Sequence, residues 1–80
     1  MKRMMRPVPV KVWTDEEGNL NPYRFTPEAI PPEVRIENIV ERSTSKIAGK
    51  LVQVFVCENN ERRFELQYDY AAHRWYLTKW

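Results

Sequence analysis

Eighty residues carrying 13 basic and 11 acidic side chains, for a formal net charge of +2, suffice for one domain with a single core and leave no room for a second. So small a surplus does not by itself direct the chain to nucleic acid or to an anionic membrane. The 42% hydrophobic, 12% aromatic and 30% charged content is that of a folded domain, not a disordered tail.

The opening MKRMMR is basic, and Pro7, Pro9 and Lys11 interrupt the apolar positions behind it, so no signal peptide is expected. Residues 1–6 are read as flexible. With no membrane-length apolar run, the expected location is the cytoplasm.

Val8, Val10 and Val12 alternate with Pro9, Lys11 and Trp13, the period of a strand with one buried face; Pro9 cannot donate to a ladder and marks an edge. Trp13 falls opposite the valines. Asp15 to Asn21 is a loop in which Gly18-Asn19 suits positive φ, and Tyr23-Arg24-Phe25 is a short returning strand. Residues 26–32 form a turn and a proline-stiffened link.

Glu33 to Ser43 fits a strand at Val34 and Ile36 and a helix face at Ile36, Ile39 and Val40; a strand with a bulge near Asn38 is favoured. Ser43 to Gly49 follows as a polar turn.

The stretch from Gly49 to Trp80 reads as an antiparallel meander of three strands. Leu51 to Cys57 is apolar on both faces and therefore central, with Val52, Val54 and Val56 taken as the inward set. Glu58 to Glu61 is a hairpin turn whose asparagines tolerate left-handed backbone. Phe64, Leu66, Tyr68 and Tyr70 alternate with Arg63, Glu65, Gln67 and Asp69. After a turn over Asp69 to His73, Trp75 and Leu77 face inward, while Arg74, Tyr76, Thr78 and Trp80 face out. The expected fold is all-β: about five or six short antiparallel strands curled into a small SH3-like barrel, with orthogonal sheets as the near alternative.

Catalytic signals are sparse. His73 is the only histidine and Cys57 the only cysteine, too few ligands for a structural zinc site and too few for an internal disulfide. Cys57, inside an apolar run, reads as a buried small hydrophobe. Gly18 and Gly49 are too far apart for a phosphate-cradling loop. Asp15-Glu16-Glu17 and the pair Glu65 and Asp69 have no accompanying base or nucleophile and read as solvated acids. Neither an enzyme, a metal site nor a cofactor is expected.

What remains is basic and aromatic: Lys11, Trp13, Arg63, Arg74, Tyr76 and Trp80 fall on outward positions, where rings beside cations suit a nucleic-acid strand or a protein partner. Cross-strand ion pairing of Arg63 and Arg74 with Glu65 and Asp69, and tryptophans sealing a small core, account for the same pattern without a ligand. A monomer or weak homodimer is expected, because the first or last strand could pair between chains.

The runs VPVKVW, PYRF, IENIVER and RRFELQYDYAAHRWYLTKW, above all FELQYD followed by RWYL, resemble a small uncharacterised bacterial domain that occurs alone or appended to Y-family (translesion) DNA polymerase homologues. The segment TPEAIPPE departs from that pattern, in which one strand continues directly to the next. The resemblance implies no activity and no functional residue, but its context adds weight to nucleic acid. Two functions are therefore expected in order: a non-enzymatic accessory or interaction module of small β-barrel type, and a nucleic-acid-binding barrel linked to DNA repair or replication.

Overall fold

Eight strands and no helix make up the residues described by the computed structural model, 1–27 and 32–80. They are β1 (Arg3–Pro7), β2 (Val10–Thr14), β3 (Leu20–Phe25), β4 (Val34–Arg35), β5 (Asn38–Ile47), β6 (Lys50–Glu58), β7 (Arg63–Asp69) and β8 (Arg74–Lys79). All pairing is antiparallel, in a five-stranded sheet ordered β1-β8-β7-β6-β5 and a three-stranded sheet ordered β2-β3-β4. The all-β expectation holds, with the strands divided between two sheets.

Pro9 is the crossing point. The Val8 amide donates to Trp75 O in the large sheet (3.1 Å), while Pro9 O accepts from Thr26 N beside the small one (3.1 Å). A residue without an N–H leaves neither ladder short of a donor at the switch. The residues ahead of it are no loose tail: Arg3–Pro7 pairs with β8 as an edge strand, and Trp80 N donates to Lys2 O (2.9 Å).

The core lies between the sheets. Phe55, Leu66 and Leu77 are successive cross-strand partners on the large sheet, and Cys57 pairs with Phe64 in the next row; all five are essentially sealed from solvent. From the small sheet Phe25 enters, only 1% exposed, with its partners Val10 and Val34 on either side. Its ring centroid lies 5.2 Å from that of Phe64, and Trp80 closes the group edge-on to Phe25 at 5.9 Å. Val8 and Ile36 complete the buried cluster.

Several strand phases differ from expectation. On β6 it is Phe55 and Cys57 that face the second sheet, while Val54 and Val56 stay half-buried on the opposite face; Val52 is buried there too. A strand apolar on both sides does not reveal which side meets the larger partner. On β8 the register shifts between Glu65↔Lys79 and Leu66↔Leu77, and this extra residue turns Trp80 inward.

The expected strand over 33–43 is two strands, β4 and β5, with the bulge between Ile39 and Glu41. The segment expected to be a polar turn continues β5 to Ile47, leaving only Ala48 and Gly49, both at positive φ, to reverse the chain. At the β6–β7 hairpin neither asparagine adopts positive φ; instead Asn59 Oδ1 accepts the amides of Glu61 and Arg62 (2.9 and 3.0 Å). The link expected over 26–32 falls mainly on residues 28–31, outside the described residues.

Candidate functional site

The small sheet offers two consecutive cross-strand rows with opposite chemistry. Val10, Phe25 and Val34 stand side by side on its inner face; one residue along, Lys11 pairs with Arg24 and Arg24 with Arg35 on its outer face. Neighbouring residues in a strand point to opposite sides, so the register that buries Phe25 lines up three cations in the open. All three are exposed. Like charges directly opposite across strands destabilise a sheet, so this row needs a compensating reason.

One local carboxylate answers it. Lys11 Nζ lies 3.1 Å from Glu33 Oε2. Arg24 and Arg35 have no ion-pair partner among the described residues. Together with Tyr23, Ile36 and Glu37 they line an open depression of about 380 Å³.

Two aromatic rings stand beside the cations. Trp13 lies two residues beyond Lys11 on β2 and is 55% exposed. The β2–β3 register shifts after Lys11, from Lys11↔Arg24 to Val12↔Pro22, leaving Tyr23 as the extra residue, 42% exposed. A bulge of this kind re-aims a side chain out of the regular alternation. The opposite rim is firm: Arg42 donates to Leu20 O and Asn21 Oδ1, both at 2.6 Å, and its guanidinium lies over the Phe55 ring. That ties the small sheet to the large one.

Of the six outward residues singled out in the sequence, this face unites only Lys11 and Trp13. Arg63, Arg74 and Tyr76 are partners of Glu58, Asp69 and Gln67 on the large sheet's other face, and Arg63 is ion-paired with Glu58 at 3.3 Å. Trp80 is not an outward residue at all; it packs on Phe25 and Phe64, with the Arg62 guanidinium 3.9 Å over its ring. Tyr23, Arg24 and Arg35 join the site unannounced. Alternation around Phe25 could have placed Arg24 outward, but the alignment with Arg35 depends on the two-residue strand β4, which follows the Pro-rich link.

The remaining polar groups have structural work. Asp69 Oδ1 accepts the amides of Ala71 and Ala72, and Glu65 accepts from the Thr78 hydroxyl (2.7 Å) beside Lys79. His73 Nδ1 and the Tyr68 hydroxyl are 3.1 Å apart at the turn. Burial pushes the Cys57 thiol up to about 12, against a smaller opposing effect of Arg42, which removes it as a nucleophile near neutral pH. No cluster of three or more His, Cys, Asp or Glu is placed to hold a metal, and no helix is long and apolar enough to cross a membrane, among the described residues.

No family model matches the sequence, and neither the curated proteins nor the solved structures show a match to it.

Proposed function

We propose that this chain is a non-enzymatic accessory module that binds nucleic acid on the outer face of its three-stranded sheet. The observation that carries the reading is the row Lys11, Arg24, Arg35, in which two guanidinium groups lack ion-pair partners among the described residues. A phosphate backbone supplies closely spaced negative charge along a line and offsets the mutual repulsion of such a row. The resemblance to a domain appended to DNA polymerase homologues points the same way, toward DNA repair or replication. A free cysteine buried in the core suits the reducing cytoplasm.

The test is a titration of fluorescently labelled oligonucleotides at low and moderate salt. Three phosphate contacts predict a slope of log K against log salt of about −2 to −2.7, the shallower value for a single strand. Absence of binding at low salt would sink the reading.

A further inference from the structure

The exposed rings beside the cation row specify which form of nucleic acid the face takes. Of the three tryptophans, Trp75 packs on Phe55 and Tyr68, and Trp80 packs on Phe25 and Phe64 under Arg62. Trp13 has no ring or cation partner among the described residues and is the most exposed aromatic side chain. Tyr23, two residues along β3 from Asn21, the cross-strand partner of Trp13, is held out by the bulge. In a duplex the base faces are already stacked on one another, so these two rings would meet only sugar and phosphate. The cations alone would then work.

The surface also has the wrong form for a groove. Adjacent strands lie about 4.8 Å apart, so the row from Lys11 to Arg35 spans roughly 10 Å across a sheet presented face-on. The B-DNA major groove, about 12 Å wide, admits a helix or a two-stranded ribbon. A three-stranded face does not enter it, whereas an unpaired strand can lie across such a face with its bases turned down onto the rings.

Resting on the nucleic-acid reading, we infer that the face binds single strands, with bases stacked on Trp13 and Tyr23 and the phosphates running along Lys11, Arg24 and Arg35. Stacking on a ring face is indifferent to base identity, so binding tolerates sequence.

The experiment compares an oligothymidylate of about a dozen nucleotides, a length within known single-strand site sizes, with the same strand annealed to oligoadenylate. Wild type is expected to bind the single strand roughly tenfold more tightly than the duplex, with quenching of tryptophan fluorescence. Trp13→Ala loses roughly tenfold in single-strand affinity and the quenching with it, and leaves duplex affinity unchanged. Trp13→Phe, which keeps a ring, restores most of the affinity. Unaltered urea midpoints confirm that both variants fold. Equal affinity for the two forms, with Trp13→Ala silent, overturns the single-strand inference while leaving nucleic-acid binding in place. Failure of wild type to bind either form at low salt overturns both.

Discussion

Arg24 stands directly opposite Arg35 across β3 and β4, one residue along from the Phe25–Val34 pair that faces the core. The two relationships are inseparable, because slipping the strands by one residue to part the guanidinium groups would carry Phe25 out into water. Core packing thus enforces the cation row.

That coupling predicts effects of opposite sign. Arg35→Glu places an acid opposite Arg24 and is expected to stabilise the fold by about 0.2–1 kcal/mol, the range for a cross-strand charge pair. The same change removes one phosphate contact and adds a repulsive charge, so oligonucleotide affinity falls and the salt dependence becomes shallower by about 0.7 for a single strand. Urea denaturation and titration of one preparation measure both. A variant that loses stability and keeps its affinity would make the row structural.

Phe25→Ala tests the other half of the relationship. The ring is sealed between the sheets and touches Phe64 and Trp80, so its removal is expected to cost about 3–5 kcal/mol. A domain of this size has roughly 4–12 kcal/mol in total. Thermal melts followed by near-ultraviolet circular dichroism should show a transition that is lost or lowered by tens of degrees, whereas Phe25→Leu, which keeps most of the volume, retains cooperative unfolding.

The strands of the closing meander were legible because alternation is a local signal: Phe64, Leu66 and Leu77 point inward as their period demands. β1 and the second half of β5, exposed almost throughout, carry no such alternation and read as a loose tail and a polar turn. Phase is hidden where it depends on a partner. β6 is apolar on both faces, and only the arrival of the small sheet over Phe55 and Cys57 decides between them. The bulge in β8 reverses Trp80 through one unpaired residue that leaves no mark in composition. The candidate site was half legible for the same reason. Lys11 and Trp13 follow from the spacing of valines in β2, but the cations they join come from strands whose register is set by Phe25 and Val34 meeting in the core.

Cys57 should behave as an unfolding reporter. Its thiol is fully buried and its ionisation is strongly suppressed by desolvation, so at mildly alkaline pH the folded protein offers no thiolate to attack a disulfide reagent. Labelling is expected to follow the open population and to slow in step with the stabilisation in Arg35→Glu. Rapid labelling of the native protein, insensitive to stability, would contradict the burial.

Acid should loosen two turns. Asp15 is held below its ordinary 3.8 chiefly by the Asn19 amide, and Glu58 below 4.5 chiefly by the Asn38 side chain and then by Arg63. A carboxylate whose folded pKa is depressed contributes stability above its unfolded pKa and loses it as pH falls through the folded value. The melting temperature should therefore drop below about pH 4. Asn38→Ala should lower it at neutral pH and flatten the acid limb, because Glu58 then titrates closer to its unfolded value; an unchanged limb would remove Glu58 from the account.

The β5–β6 reversal gives the sharpest backbone prediction. Ala48 (φ 52°) and Gly49 (φ 78°) form a two-residue loop closed by the Ile47↔Lys50 pair, with both central residues left-handed as a type I′ hairpin turn requires. Alanine pays roughly 1 kcal/mol for that conformation, and asparagine adopts it with less strain. Ala48→Asn is expected to stabilise the domain by about 0.5–1 kcal/mol, and Gly49→Ala to destabilise it by about 1 kcal/mol. Apart from the glycine and its two chain neighbours, no heavy atom lies within 4 Å of where a Cβ on Gly49 would sit, so the second effect is conformational, not steric. Equilibrium urea unfolding separates the two variants by roughly 2 kcal/mol; coincident curves would mean that the hairpin end contributes nothing to the cooperative fold.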